Sequence, residues 1–167
     1  INIGSNVSIT STNAPMNLVL NSDSDRPNAA GPGHPLAGGS VAADTGLVIN
    51  THGGNLAIGG GDALDGSGMA IGIAGAGDNS RGITLRGATL DAGGGNVTMN
   101  GTGSTAEGEG ILLQSSTIAT SGSGQISLTG VGGAAGTDTS PSTGVSLEDS
   151  TLQTASGAIH LTGTGGG

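Results

Sequence analysis

Twelve carboxylates, three histidines and three arginines are the side chains in this 167-residue chain with charge or proton chemistry to offer, because cysteine and tyrosine are absent and Arg26, Arg81 and Arg86 account for all the basic residues. Hard oxygen ligands are the most plentiful resource. Asp62 and Asp65 lie in GGGDALDGSG (residues 59–68), and Glu107 and Glu109 lie two apart. Carboxylates with loop carbonyls between them are the donor set that calcium takes. The competing reading is a solvated, charge-bearing loop edge that keeps the molecule soluble. Histidine offers less. His34, His52 and His160 share no metal-ligand spacing and read as surface residues.

Acid–base catalysis on a glycosidic bond needs two carboxylates facing each other across a cleft. Glu148 and Asp149 are adjacent, so on one strand they would point to opposite faces. No pair is assigned a catalytic role, and the chain is read as non-enzymatic. A polysaccharide-active enzyme built on Asp62, Asp65, Glu107 and Glu109 is the remaining catalytic alternative. The net charge of −9, with no basic cluster, argues against nucleic acid and against an anionic membrane surface. No apolar run approaches the length of a membrane span. GGGDALDGSG is similar to the calcium-binding nonapeptides of toxin-type β-rolls, but it occurs once, and such sites need consecutive copies.

The elements that carry these residues follow from a repeat. GITLRGATLDAGGGNVTMNG (82–101), GILLQSSTIATSGSGQISLTG (110–130) and GVSLEDSTLQTASGAIHLTG (144–163) share one form. It runs Gly-aliphatic-x-Leu, Thr-aliphatic, a small-residue turn, then aliphatic-x-Leu or Met and a closing Gly. Two weaker copies precede them, in LVINTHGGNLAIGG (47–60) and in Val7 and Ile9 followed by Leu18 and Leu20. Apolar residues at alternate positions predict short strands with one buried face. Three such strands per repeat, joined by tight corners, describe one coil of a β-solenoid.

Stacking the coils predicts five inward ladders. Ile83, Ile111 and Val145 form the first, and Leu85, Leu113 and Leu147 the second. Leu90, Ile118 and Leu152 form the third, Val97, Ile126 and Ile159 the fourth, and Met99, Leu128 and Leu161 the fifth. With 0% aromatic residues, aliphatic side chains must supply the whole core. The expected architecture is all-β, a right-handed parallel β-helix of about 4–5 coils spanning 1–167 as one segment of a longer protein. Coil length varies through insertions at one corner, at about 21–39, 60–81, 102–109 and 131–143. Eight acids fall in them, namely Asp23, Asp25, Asp62, Asp65, Asp78, Glu107, Glu109 and Asp138. Met69, Ile71 and Ile73 alternate within the second and would form an extra strand or a covering element.

The ordered succession of NVSITST, NLVLNSDSD, INTHGGNLAIGGG and the three clear repeats resembles the large bacterial exoproteins related to filamentous haemagglutinin, over nearly the whole chain. The resemblance implies a right-handed parallel β-helix, passage through an outer-membrane secretion partner, and an extracellular or cell-surface location. It implies a role in adhesion, aggregation or biofilm, with a host or neighbouring cell surface or a polysaccharide as partner. The Asn-Pro-Asn-Leu motif of that family's secretion domain is missing, so the segment reads as shaft rather than export cap. A self-assembling fibre or sheath subunit is the alternative, since uncapped coil ends favour association. The sequons at Asn6, Asn96 and Asn100 are weak, because Asn, Ser and Thr are abundant.

Overall fold

The computed structural model describes residues 1–22, 39–60, 81–103, 108–133 and 142–166. Among the described residues fifteen short strands follow one another in five sets of three. The first coil holds β1 (Asn2–Ile3), β2 (Ser8–Thr10) and β3 (Leu18–Ser22), and the second β4 (Val41–Ala43), β5 (Val48–Asn50) and β6 (Leu56–Gly60). The third holds β7 (Ile83–Arg86), β8 (Thr89–Asp91) and β9 (Val97–Thr102), and the fourth β10 (Ile111–Gln114), β11 (Thr117–Ala119) and β12 (Ile126–Val131). The last holds β13 (Val145–Glu148), β14 (Thr151–Gln153) and β15 (Ile159–Thr164).

Every third strand pairs in parallel, so the chain builds three five-stranded sheets, ordered β1-β4-β7-β10-β13, β2-β5-β8-β11-β14 and β3-β6-β9-β12-β15. The molecule is a parallel β-helix. Successive coils keep register: Leu113 faces both Leu85 and Leu147, Ile118 faces Leu90 and Leu152, and Leu128 faces Met99 and Leu161. Because side chains alternate along a strand, that register places one aliphatic on the next along the ladders, and glycine on glycine at Gly101 and Gly130. The first two coils continue the same columns, with Ile9 on Ile49, Leu18 on Leu56, and Val41 on Ile83. Val41 and Ala43 form a full first strand for the second coil, and Ile3 does so for the first. The repeat pattern did not predict these strands, because neither carries Gly-aliphatic-x-Leu.

Burial of the columns depends on position along the stack. Ile83, Leu85, Leu90, Val97, Met99, Ile111, Leu113, Ile118, Ile126 and Leu128 are fully buried, whereas Leu147 is 39% exposed, Ile159 41% and Leu161 49%. Val145 and Leu152 are partly buried. The expectation that all fifteen ladder residues are core therefore needs correction for the last coil. Strands β13, β14 and β15 have a neighbour on one side only, so one flank of each side chain meets water.

Polar columns secure the corners. Asn17 Oδ1 accepts from the Asn55 backbone N–H, Asn55 Oδ1 from that of Asn96, and Asn96 Oδ1 from that of Gln125, each at 2.9 Å. Buried Ser116 accepts from the Ala88 N–H (3.1 Å), and its own N–H donates to Ser150 Oγ (3.0 Å). Thr120 and Thr154 hydroxyls each donate at 2.7 Å across their turns, to the Gly124 and Gly157 carbonyls. These bonds satisfy backbone groups that the bends remove from the sheet ladders.

Backbone at positive φ stacks in register as well. Asn6, Gly46, Gly87, Ser115 and Asp149, at 49–90°, occupy the first corner of the five coils in turn. Asp149 thus lies in a turn, not on a strand beside Glu148 as expected. Another corner leaves no room for a side chain. A Cβ on Gly110 would lie 2.6 Å from the Gly144 carbonyl oxygen and 2.7 Å from that of Gly101. Among the described residues no helix is long and apolar enough to cross a membrane.

Candidate functional site

The large coil-length differences arise at one corner, while the other two corners differ by at most about two residues between coils. The chain leaves after β3, β6, β9 and β12 and returns for β4, β7, β10 and β13, so all four long connections spring from the edge between the third and first sheets. Strands reach into the expected insertions: β3 runs to Ser22, β9 to Thr102 and β12 to Val131. The expected insertions are accordingly shorter at their roots. Asp62, Asp65 and Glu107, with Asp23, Asp25, Asp78, Asp138, His34 and the Met69, Ile71 and Ile73 pattern, lie outside the described residues.

Glu109 is the one calcium candidate whose surroundings are described, and it is engaged. Its carboxylate Oε2 accepts from Arg81 Nε, with side chains 17% and 33% exposed respectively. The pair joins the roots of two neighbouring connections across adjacent coils. Spacing in sequence could not reveal it, because 28 residues separate the partners. Among the described residues no group of three or more His, Asp or Glu converges to hold a metal ion. His52 sits in an exposed turn at φ 52°, and His160 lies exposed on β15.

The outer face of the first sheet carries the charge that the strands position. The column that alternates with the core ladders runs Asn2, Ala42, Thr84, Leu112 and Ser146, of which Thr84 and Leu112 are buried. The next sets Arg86 level with Gln114 and Glu148, and Asp44 follows Ala43, the partner of Leu85. Gln114 Nε2 donates to Glu148 Oε2 at 2.8 Å. Arg86 makes no ion pair among the described residues, and with Arg81, Asp44, Asn2, Ala42 and Thr84 it lines a concavity of about 260 Å³. Both arginines therefore converge on one surface beside the edge that bears the long connections. What sequence reasoning missed was this meeting of separate coils, visible only once the register is known.

No family model matches the chain, and no curated protein or solved structure does either.

Proposed function

We propose that the chain is a shaft segment of a secreted bacterial surface protein, an adhesin or matrix rod of the filamentous haemagglutinin-like kind, non-catalytic and contacting its partner along one edge. The observation that carries this reading is the division of labour in the coil stack. Three regular sheets make a linear scaffold, and the four variable connections all leave from the same side. Repeat proteins vary their surface at such an edge without disturbing the core. The likeness of the repeats to those exoproteins supports an extracellular setting, export through an outer-membrane partner, and a cell surface or polysaccharide as target.

The test is attachment of the purified chain to bacterial and host cells and to immobilised polysaccharides. Replacing each long connection by a short Gly-Ser link should lower attachment while leaving the melting temperature nearly unchanged. Undiminished attachment after all four replacements would contradict an edge-mediated rod. A second reading is a self-stacking fibre, since coils whose strands pair in parallel and in one register are a surface onto which a further copy could continue the same sheets. Ordered polymers in electron micrographs would select it, and isolated rods would select the adhesin.

A further inference from the structure

The concavity on the outer face of the first sheet has charged walls and a low floor. Ala42 and Thr84 are consecutive rungs, and their short side chains leave space between the longer groups to either side. Arg81 is tethered by Glu109, which fixes one wall. Arg86 is partly buried, and Gln114 occupies Glu148, the carboxylate further along its own column. Asp44 is exposed and stands level with Arg86 in the adjacent coil, without an ion pair between them among the described residues.

A guanidinium in this situation presents a planar fork of donors that matches a carboxylate in two-point contact. Around it Asp44 offers acceptors, Asn2 both donors and acceptors, and Thr84 a hydroxyl. The set suits a molecule with one carboxylate among several hydroxyls. With no aromatic residue anywhere in the chain, a sugar ring has no face to stack on, so charge and hydrogen bonds must do the recognising. The volume of about 260 Å³ lies below the roughly 300–1,000 Å³ of pockets that enclose drug-sized ligands, which fits one sugar unit of a longer chain.

We propose that this concavity binds a hexuronate unit of an acidic glycan, with Arg86 taking the carboxylate in two-point contact. Arg81 holds the approach to the same carboxylate, while Asp44, Asn2 and Thr84 take ring hydroxyls. The inference rests on the reading of the chain as a binding rod and names the sugar class that the rod meets. It places the contact on the flank of the first sheet beside the edge, not only in the long connections. The net charge of −9 opposes the approach of an acidic glycan at long range, so the affinity must come from the short-range contact with Arg86.

The experiment is titration of the full chain by NMR or calorimetry with a galacturonate oligosaccharide, its neutral counterpart and a sulfated one. The uronate is expected to bind, with the other two weaker by about ten-fold or more, as loss of a charge-assisted two-point bond implies. Arg86→Ala should weaken uronate binding by about ten-fold or more, with Arg86→Lys in between, because lysine restores charge without the fork. Asp44→Ala should have a smaller effect, and all three variants should melt as the parent does. Equal affinity for the sulfated sugar would overturn the carboxylate assignment, and equal affinity for the neutral one, or an unaffected Arg86→Ala, would overturn the site. Cell attachment that survives Arg86→Ala but falls on replacing the connections would sink this inference and leave the rod standing. Loss of attachment in neither case would remove the rod itself.

Discussion

The third and fourth coils and the fifth are written in nearly the same letters, yet they differ in what those letters do. Leu113 and Leu128 are sealed, whereas their register partners Leu147 and Leu161 are 39% and 49% exposed. Strand lengths match, with four, three and six residues in each of these coils. The difference lies in the neighbour. A ladder residue is buried by the coils above and below it, so its contribution to stability belongs to the stack and not to its own repeat. Apolar burial in this fold adds coil by coil, and the middle carries more of it than the end.

The strongest way to break that comparison is to place a charge at equivalent rungs. Leu113→Asp should destabilise the chain by about 4 kcal/mol or more, because the carboxylate has no partner in a dry aliphatic interior. Leu147→Asp should lose about 1 kcal/mol, since its side chain already reaches water. Urea midpoints of the two variants measure the gap. Equal losses would show that the last coil is as covered as the middle, contrary to the burial described.

A sharper contrast uses two glycines of the central coils. Gly110 is enclosed by the Gly144 and Gly101 carbonyls, so Gly110→Ala forces backbone apart and should destabilise by about 1–3 kcal/mol. Nothing lies within 4 Å of a Cβ on Gly94, and Gly94→Ala should fall within about 0.5 kcal/mol of the parent. Thermal melts of the pair check it. Similar shifts would mean that the corner is looser than its atoms imply.

A further, modest loss is expected at the asparagine column. Asn96→Ala removes the acceptor for the Gln125 N–H and should reduce stability by about 0.5–1.5 kcal/mol. The loss should appear as faster hydrogen exchange at the Gln125 amide, while the Asn96 amide, still bonded to Asn55, stays protected. Unchanged exchange at Gln125 would contradict the bond.

The ladders were legible in the sequence because alternation at period two and the phrase Gly-aliphatic-x-Leu state both the strand and its inward face. Where the phrase decays the strand became invisible: Val41, Ala42 and Ala43 pair with Ile83, Thr84 and Leu85 although alanine fills two of the three positions. Left-handed corners at Asn6, Ser115 and Asp149 were hidden for a similar reason, since glycine is the usual sign of positive φ and it stands at only two of the five rungs. Nothing in the repeat phrase singles out Ser116. Its burial, and its role as a hydrogen-bond relay between Ala88 and Ser150, follow from a coil register that spacing alone does not fix. The concavity was the least legible feature. Arg81 and Arg86 are near in sequence, but Asn2, Ala42 and Asp44 reach them only through stacking of different coils.

The central claim is that leucines from successive windings touch in order along the axis. Selective leucine-methyl labelling with nuclear Overhauser measurements tests it without altering the chain. Contacts from Leu85 to Leu113 and from Leu113 to Leu147, with none between Leu85 and Leu147, are the predicted result. A direct contact between Leu85 and Leu147, or silence between each consecutive pair, would contradict the stacked interior.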